Sequence, residues 1–274
     1  MTPPPTPLRL GWLSTGRGPG SRRLLSATYK AIQRGDLNAR IEVLFCNREL
    51  GEVEGSDQFL ALAQCYGIPA VTLSSRRFRR EHSGDRSWRV LYDQEVVLLL
   101  SPYRTDLLVL AGFMLIMGDA AWQGRPAINL HPALPDGPQG TWQEVIWELI
   151  RQQARESGAL VHLATAQVDQ GPVVAYCRFP LRGGDFDALW REVEGIPVDR
   201  LRAEQGEENI LFRRIREEGV KREVPLLLAT LKAIANGRVH IAGNRVLDAE
   251  GRSLSGPDLT PEIEAQVRSS TSGP

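Results

Sequence analysis

The sequence has little that would fix a fold or a partner by chemistry alone. Its three cysteines, Cys46, Cys65 and Cys177, are odd in number, scattered and without C-x-x-C spacing. Neither a disulfide framework nor a zinc site is expected, and reduced thiols of a cytoplasmic protein are the default. Charge of either sign is not in excess: Lys+Arg and Asp+Glu both number 33, which leaves no global basic field for nucleic acid and no acidic tail. No apolar run approaches a membrane span, and the opening MTPPPTPLRL lacks the apolar stretch of a secretion signal. A soluble cytoplasmic protein with no membrane and no nucleic-acid partner is therefore expected. Internal repeats and low-complexity linkers are missing too, so no second catalytic domain is called for. The remaining composition, 42% hydrophobic and 24% charged over 274 residues, suits one sizeable α/β domain or one domain with an appendage.

What is present reads as alternating strands and helices. Residues 8–14 (LRLGWLS) read as a buried first strand that opens into TGRGPGSRRLL. Gly16, Gly18 and Gly20 let backbone N–H groups turn inward, Ser21 stands where a helix would start, and Arg17, Arg22 and Arg23 add positive charge. Those are the ingredients of an anion cradle, although the spacing is neither a Walker A loop nor a dinucleotide fingerprint. A helix over 21–34, a strand over 40–46 ending in Asn47-Arg48, a helix over 56–66 and a strand over 70–73 establish a βαβ pattern. Residues 74–89 hold Arg76, Arg77, Arg79, Arg80, Arg86 and Arg89. A solvated face or mobile loop is expected there, ahead of a grip on phosphate or polyglutamate. After a helix over 91–100, the unalternated apolar run 106–111 (DLLVLA) is the mark of a strand buried on both faces of a parallel sheet.

Chemistry concentrates in residues 127–140, AINLHPALPDGPQG. Side chains two apart on a strand point the same way, so Asn129 and His131 should project together from a strand that Pro132 stops. An amide and an imidazole placed side by side can stabilise one developing oxyanion and move one proton, which is acyl-transfer equipment. Taken alone, N-x-H-P is more often a turn-capping amide and a hydrogen-bonded core histidine. Beyond it come a helix from residue 140, then strands over 159–165 and 173–180 joined by AQVDQGP, a loop short enough to require an antiparallel pair. Asp169 at its tip is by itself an ordinary turn residue. Helices are expected over 185–193, 199–219 and 225–236, then a hairpin in RVHIAGNRVLDAEGRSL and a fraying polar tail over 262–274.

In combination these pieces carry more than they do singly. GPGSRRL, CNR, GIP, LVLAGFMLIM, INLHPALP and SGALVHLATAQVDQGPVV follow one another over roughly residues 8–181, and in that order the chain resembles the folate-dependent formyltransferases, in particular those of purine synthesis. The resemblance implies an α/β fold: a Rossmann-like, mostly parallel sheet with antiparallel C-terminal strands and helices on both faces. It implies a catalytic domain over 8–181, a helical extension and hairpin over 182–261 packed on it, and tails at 1–7 and 262–274. It implies formyl transfer from 10-formyltetrahydrofolate to the amine of a phosphorylated small molecule, glycinamide ribonucleotide first, with no metal. Asn129 and protonated His131 would stabilise the oxyanion and Asp169 would hold His131 charged. The donor would lie along Phe113, Met114, Leu115, Ile116 and Met117 and along Ala166, Gln167, Val168 and Gln170. The acceptor would lie at Gly18, Pro19, Gly20, Ser21, Arg22 and Arg23, with Glu223 at the sugar.

The departures from that family are local. Its G-x-H-T-H-R pattern is here Gly140-Thr-Trp-Gln-Glu-Val, its arginine after AGFM is Leu115, and residues 183–221 are longer than its connection. The acidic sugar-binding position falls on Glu218 or Glu223. Within residues 183–221, Ile210, Leu211, Phe212 and Ile215 form an apolar cluster that must bury against something; the segment is expected to cover the acceptor side or to mediate a homodimer. Two other functions stay open: hydrolysis of the formyl donor, whose enzymes usually carry an N-terminal regulatory domain with no room ahead of residue 8, and folate or nucleotide binding without catalysis.

Overall fold

The protein is described from a computed structural model covering residues 6–118, 121 and 125–271. Its contacts divide it into two compact units: Met1–Asn129 with Leu163–Pro172 and Leu228–Leu254, and Leu130–His162 with Val173–Leu227 and Ser255–Pro274.

In the first unit, β1 (Leu8–Ser14), β2 (Ala39–Cys46), β3 (Ala70–Thr72), β4 (Leu107–Leu110) and the start of β5 (Ala127–His131) pair in parallel, β2 with β3 and β1, β1 with β4, and β4 with β5. Parallel strands need crossovers, which α1 (Pro19–Gln33), α2 (Glu54–Cys65), α3 (Ser75–Glu81) and α4 (Trp88–Leu100) provide. All four residues of β4 are buried, as an unalternated apolar run requires. Leu13, Phe45, Tyr92, Val96, Leu108 and Phe113 fill the core between them. β8 (Val239–Ala242) and β9 (Arg245–Asp248) form the expected hairpin.

The second unit is built on β6 (Glu156–Leu163) and β7 (Val173–Pro180), antiparallel as their short connection requires. The strand order of the first unit is β3-β2-β1-β4-β5, all parallel, whereas the pair β6-β7 of the second is antiparallel, the mostly parallel pattern with antiparallel C-terminal strands. α5 (Trp142–Arg151) starts with a capping box in which Thr141 and Glu144 satisfy each other's backbone N–H groups. α6 (Asp185–Glu192) and α7 (Val198–Glu204) follow, then a short turn Gly206–Glu208, α8 (Ile210–Ala235), whose residues from Leu228 on belong to the first unit, and α9 (Thr260–Thr271).

Three expectations are corrected. Residues 74–89 are not a mobile loop: Ser74 caps α3 by accepting from the Arg77 N–H at 3.0 Å, and Phe78 packs edge-on against Tyr92 at 5.2 Å. The arginines of α3 do stay exposed. The helix expected over 199–219 breaks at Gly206, with φ 53, and restarts where Asn209 accepts from the Phe212 N–H at 2.9 Å. It then runs through Pro225, because burial of Leu226 and Leu227 beside the proline offsets the lost hydrogen bond. Residues 262–271 are helical and not a tail, since Ile263 is fully buried and Glu264 pairs with buried Arg222 at 2.6 Å.

The apolar cluster at the start of α8 is buried, as its composition requires. Leu211, Phe212 and Ile215 are covered by their own unit, with Phe212 against the Trp147 and Trp142 rings at 4.8 and 5.8 Å. Only Ile210 is exposed, at 53%. Apart from Ile210, the cluster is therefore buried within its own unit.

α4 also ties down the segment after β4. Asp93 Oδ2 accepts from the Gly118 N–H at 2.7 Å and Arg89 donates to the Ile116 carbonyl at 2.6 Å. Burial pushes the Asp93 carboxyl above its usual value, while the Gly118 N–H and the Arg89 charge pull it down. Its Oδ1 is buried with no hydrogen-bond partner among the described residues.

Two outcomes follow from this packing. Phe212→Ala should lower unfolding free energy by about 3–5 kcal/mol in urea titrations, the usual cost of an emptied aromatic site, whereas a surface role would cost almost nothing. For Asp93, a folded pKa above the unfolded one means that its contribution is complete below the unfolded value near 3.8 and is lost as pH rises through the folded value. Asp93→Asn should accordingly gain in melting temperature relative to wild type as pH is raised from about 4 to about 7. A difference that stays flat across that range would mean the carboxylate is not strained by burial.

Candidate active site

The residues of the anion cradle stand where sequence reading expects them, at the C-terminal end of β1. α1 has Gly18 as its N-cap, with no side-chain cap, and Pro19 in its first turn. Its leading N–H groups therefore depend on partners outside the helix. The preceding loop is held by its own neighbours: the Thr15 carbonyl accepts from Ser56 Oγ at 2.8 Å and from Cys46 Sγ at 3.6 Å. Burial pushes the Cys46 thiol up to about 11, so it serves as a neutral packing group. A Cβ on Gly55 would overlap the Arg17 carbonyl, which lets α2 start directly against the loop.

Arg22 and Arg23 are half-buried and do not simply point to solvent. Arg22 Nη1 donates to the Gly55 carbonyl at 3.1 Å, a partner that no local pattern announces. A guanidinium carries five N–H groups, so this bond uses a small part of its donor capacity.

The segment after β4 lies against this cradle. Gly112 has φ 70, and a Cβ on it would come within 2.7 Å of Ser21 Oγ. Thr15 N–H donates to the Gly112 carbonyl at 3.0 Å and Met114 N–H donates to Thr15 Oγ1 at 2.8 Å. Phe113 and Met117 turn into the core, while Met114 and Ile116 are 50% and 58% exposed and Leu115 is intermediate. Of the five side chains assigned to the donor, only the outward ones and the backbone can meet a ligand directly. Asp93 and Arg89 fix this segment; in the sequence Arg89 is one of the six arginines over 74–89, and Asp93 shows only as a polar residue on the apolar face of the helix over 91–100.

In the same unit Asn129 and Asp169 are brought together. The Asn129 amide donates to Asp169 Oδ1 at 3.4 Å. The loop that carries Asp169 is closed by Leu163 N–H donating to the Pro172 carbonyl at 2.9 Å, and it is anchored to β5 by Ala164 N–H donating to the Ala127 carbonyl at 2.8 Å. Asp169 itself has φ 55, a left-handed conformation in which a non-glycine residue stores strain. Its neighbours Ala166, Gln167, Val168 and Gln170 are exposed.

The second unit holds His131 and Glu223. His131, last residue of β5, is buried, and its Nε2 lies 2.9 Å from the Pro138 carbonyl. A carbonyl can only accept, so Nε2 carries a proton and, in the neutral ring, the lone pair lies on Nδ1. Buried His162 stands edge-on to it, ring centroids 6.3 Å apart. Sequence reading missed both Pro138 and His162, since only the fold brings them to this ring. Glu223 is buried and paired with Arg216, whose guanidinium lies 4.8 Å from the centre of the Trp142 ring. Glu218 is occupied by Arg214, Lys221 and Arg222. Among the described residues no group of three or more His, Cys, Asp or Glu could hold a metal ion, and no helix is long and apolar enough to cross a membrane.

Residues 18–185 match the family model described as "Formyl transferase". Phosphoribosylglycinamide formyltransferase of Mycobacterium tuberculosis (strain CDC 1551 / Oshkosh) is 30% identical over 202 residues, 73% of this chain and 83% of that protein. In fold, the chain is similar to glycinamide ribonucleotide transformylase 1 from Symbiobacterium toebii (TM-score 0.62, 24% identity, 91% of this chain and 95% of that one). It is also similar in fold to formyltetrahydrofolate deformylase from Burkholderia mallei ATCC 23344 (TM-score 0.60, 17% identity, 88% and 70%). The chain belongs to the formyl transferase family and is a formyltransferase.

Proposed function

We propose that the protein transfers the formyl group of 10-formyltetrahydrofolate to the amine of a phosphorylated small molecule, with glycinamide ribonucleotide the first acceptor to test. The observation that carries this reading is the contact of Asn129 with Asp169, the latter held in a left-handed conformation at 3.4 Å from the amide. Strain of that kind persists where the surroundings over-determine it, and it gathers at working sites.

The donor supplies a formyl group on a nitrogen that can leave. The acceptor amine attacks the formyl carbon, a C–N bond forms, and the carbonyl oxygen becomes an oxyanion. An amide nitrogen carries two hydrogens, so the Asp169 contact does not by itself exhaust what Asn129 can donate to that oxyanion. His131, with Nε2 tied to the Pro138 carbonyl, exchanges protons through Nδ1: charged, it donates there to the oxyanion, and it can pass that proton to the leaving nitrogen. Asp169 favours the charged ring by its negative charge. Collapse of the intermediate breaks the bond to the donor nitrogen and leaves a formamide and tetrahydrofolate. Gly18, Pro19, Gly20 and Ser21 at the start of α1 would hold the phosphate, since helix N–H groups and dipole both favour an anion. Arg22 and Arg23 would add charge there, and Glu223 would face the sugar.

Rates measured with donor alone and with donor plus glycinamide ribonucleotide test the whole reading. Turnover that requires the amine supports transfer, turnover with water alone makes the protein a hydrolase, and saturable binding with neither makes it a binding module. Asn129→Ala and His131→Ala should each lower kcat by roughly 10²–10³, the typical cost of losing one oxyanion donor; a loss below tenfold in both variants would remove them from the chemistry. For the acceptor, inorganic phosphate should compete with the amine substrate, and Arg22→Ala should raise the acceptor KM well above any change in the donor KM. Equal effects on both substrates would place the phosphate elsewhere.

A further inference from the structure

In the second unit many charged side chains find a partner: Arg151 pairs with Asp199 at 2.8 Å and with Glu148 at 3.3 Å, and Arg222 joins Glu218 to Glu264. Around one cavity several do not. It has a volume of about 580 Å³, within the range of small-molecule sites, and lies wholly in this unit between the end of α5, α6 and α7. Most of its lining follows residue 185, where the match to the family model ends. None of the residues assigned to formyl transfer lines it.

The floor is apolar: Ile150, Trp190, Val193 and Leu201 are buried. Trp190 donates its indole N–H to the Leu181 carbonyl at 2.6 Å, so it offers the cavity only its ring. The rim carries Arg182, Arg191, Asp187 and Glu194. Arg182 lies over the Trp190 ring, 4.0 Å from its centre, and its Nη2 donates to the Gln153 carbonyl at 2.9 Å. Arg191 Nε donates to the Asp187 carbonyl at 3.2 Å. A guanidinium has five N–H groups, so most of these donors are unused. Asp187 Oδ1 accepts from the Gly183 N–H at 2.8 Å, and the Glu194 carboxylate accepts no hydrogen bond among the described residues. None of the four charges has an opposite charge within 4.0 Å among the described residues. Two cations and two anions thus stand around one apolar hollow without forming ion pairs.

We propose that this cavity binds a free α-amino acid with a large apolar side chain. Its carboxylate meets Arg182 and Arg191, its ammonium meets Asp187 and Glu194, and its side chain lies on the floor beside Trp190. Charge complementarity selects this class. A plain anion would also face Asp187 and Glu194, a plain cation would face Arg182 and Arg191, and a neutral apolar molecule would leave the whole rim unmatched. A zwitterion with an apolar body meets both signs and the floor at once.

Calorimetric titration of the full chain with L-phenylalanine and L-leucine tests this. At least one should bind saturably, with a Kd of about 1 mM or below. For the one that binds, the analogue without the ammonium, the analogue without the carboxylate, and glycine, which lacks the side chain, should each bind at least roughly tenfold more weakly; for L-phenylalanine the two analogues are 3-phenylpropionate and 2-phenylethylamine. R191Q and E194Q, both at exposed positions, should each weaken amino-acid binding roughly fivefold and leave the ligand-free melting temperature unchanged. Three results overturn the proposal: no saturation by either amino acid up to about 10 mM, equal or tighter binding of an analogue that lacks one charge, or full affinity in both variants. Binding is read without turnover, so failure of this site leaves formyl transfer standing, and absence of formyl transfer leaves the site to be decided by the same titration.

Discussion

At Gly112 there is room for a hydrogen and for nothing larger. A Cβ would press on Ser21 Oγ at 2.7 Å, and the backbone there has φ 70. Because that position is empty, the start of α1 comes against the end of β4, and two loops far apart in sequence share one place. The Thr15 and Met114 bonds then lock them together. Ligands of parallel α/β sheets bind beyond the carboxyl ends of the strands, and this close approach joins the anion cradle to the segment assigned to the donor. The outward side chains of Met114 and Ile116 follow from the same packing, since Phe113 and Met117 are taken by the core.

Charge is handled differently in the second unit. An ion in the interior is tolerated only when it is paired and hydrogen-bonded, and Arg222 meets that condition through Glu218 at 2.9 Å, Glu264 at 2.6 Å and the face of Phe179 at 4.5 Å. These bonds tie α9 to α8. The pairing of buried Glu223 with Arg216 is of the same kind. A stretch as charged as residues 183–223 can therefore fold on this unit: its few apolar side chains enter the core, and its buried charges, Arg222 and Glu223, are paired.

The site shows the same division between polar groups that are fixed and groups that are strained. Pro138 holds one nitrogen of His131, Ala127 holds the loop of Asp169, and the strain is left on Asp169. In the proposed role these groups would gain from being held, because a side chain already oriented loses little entropy at the moment of reaction.

The sequence by itself determined the strands and the hairpin, and it supplied the residues proposed for the chemistry. A buried parallel strand must be apolar throughout, as residues 107–110 are, and N-x-H-P with D-x-G-P at their separation names a small set of reactions. Those signals are local, so they can be read along the chain. The helix through Pro225, the helices over 75–81 and 260–271 and the rings that cover Phe212 were not legible, because each depends on apolar surface supplied by residues far away in sequence. The same holds for Asp93, for His162 and for the Gly55 carbonyl that takes Arg22. Propensity and spacing state what a segment can form alone, whereas burial and long-range hydrogen bonds, which decided these cases, exist only once the chain is packed.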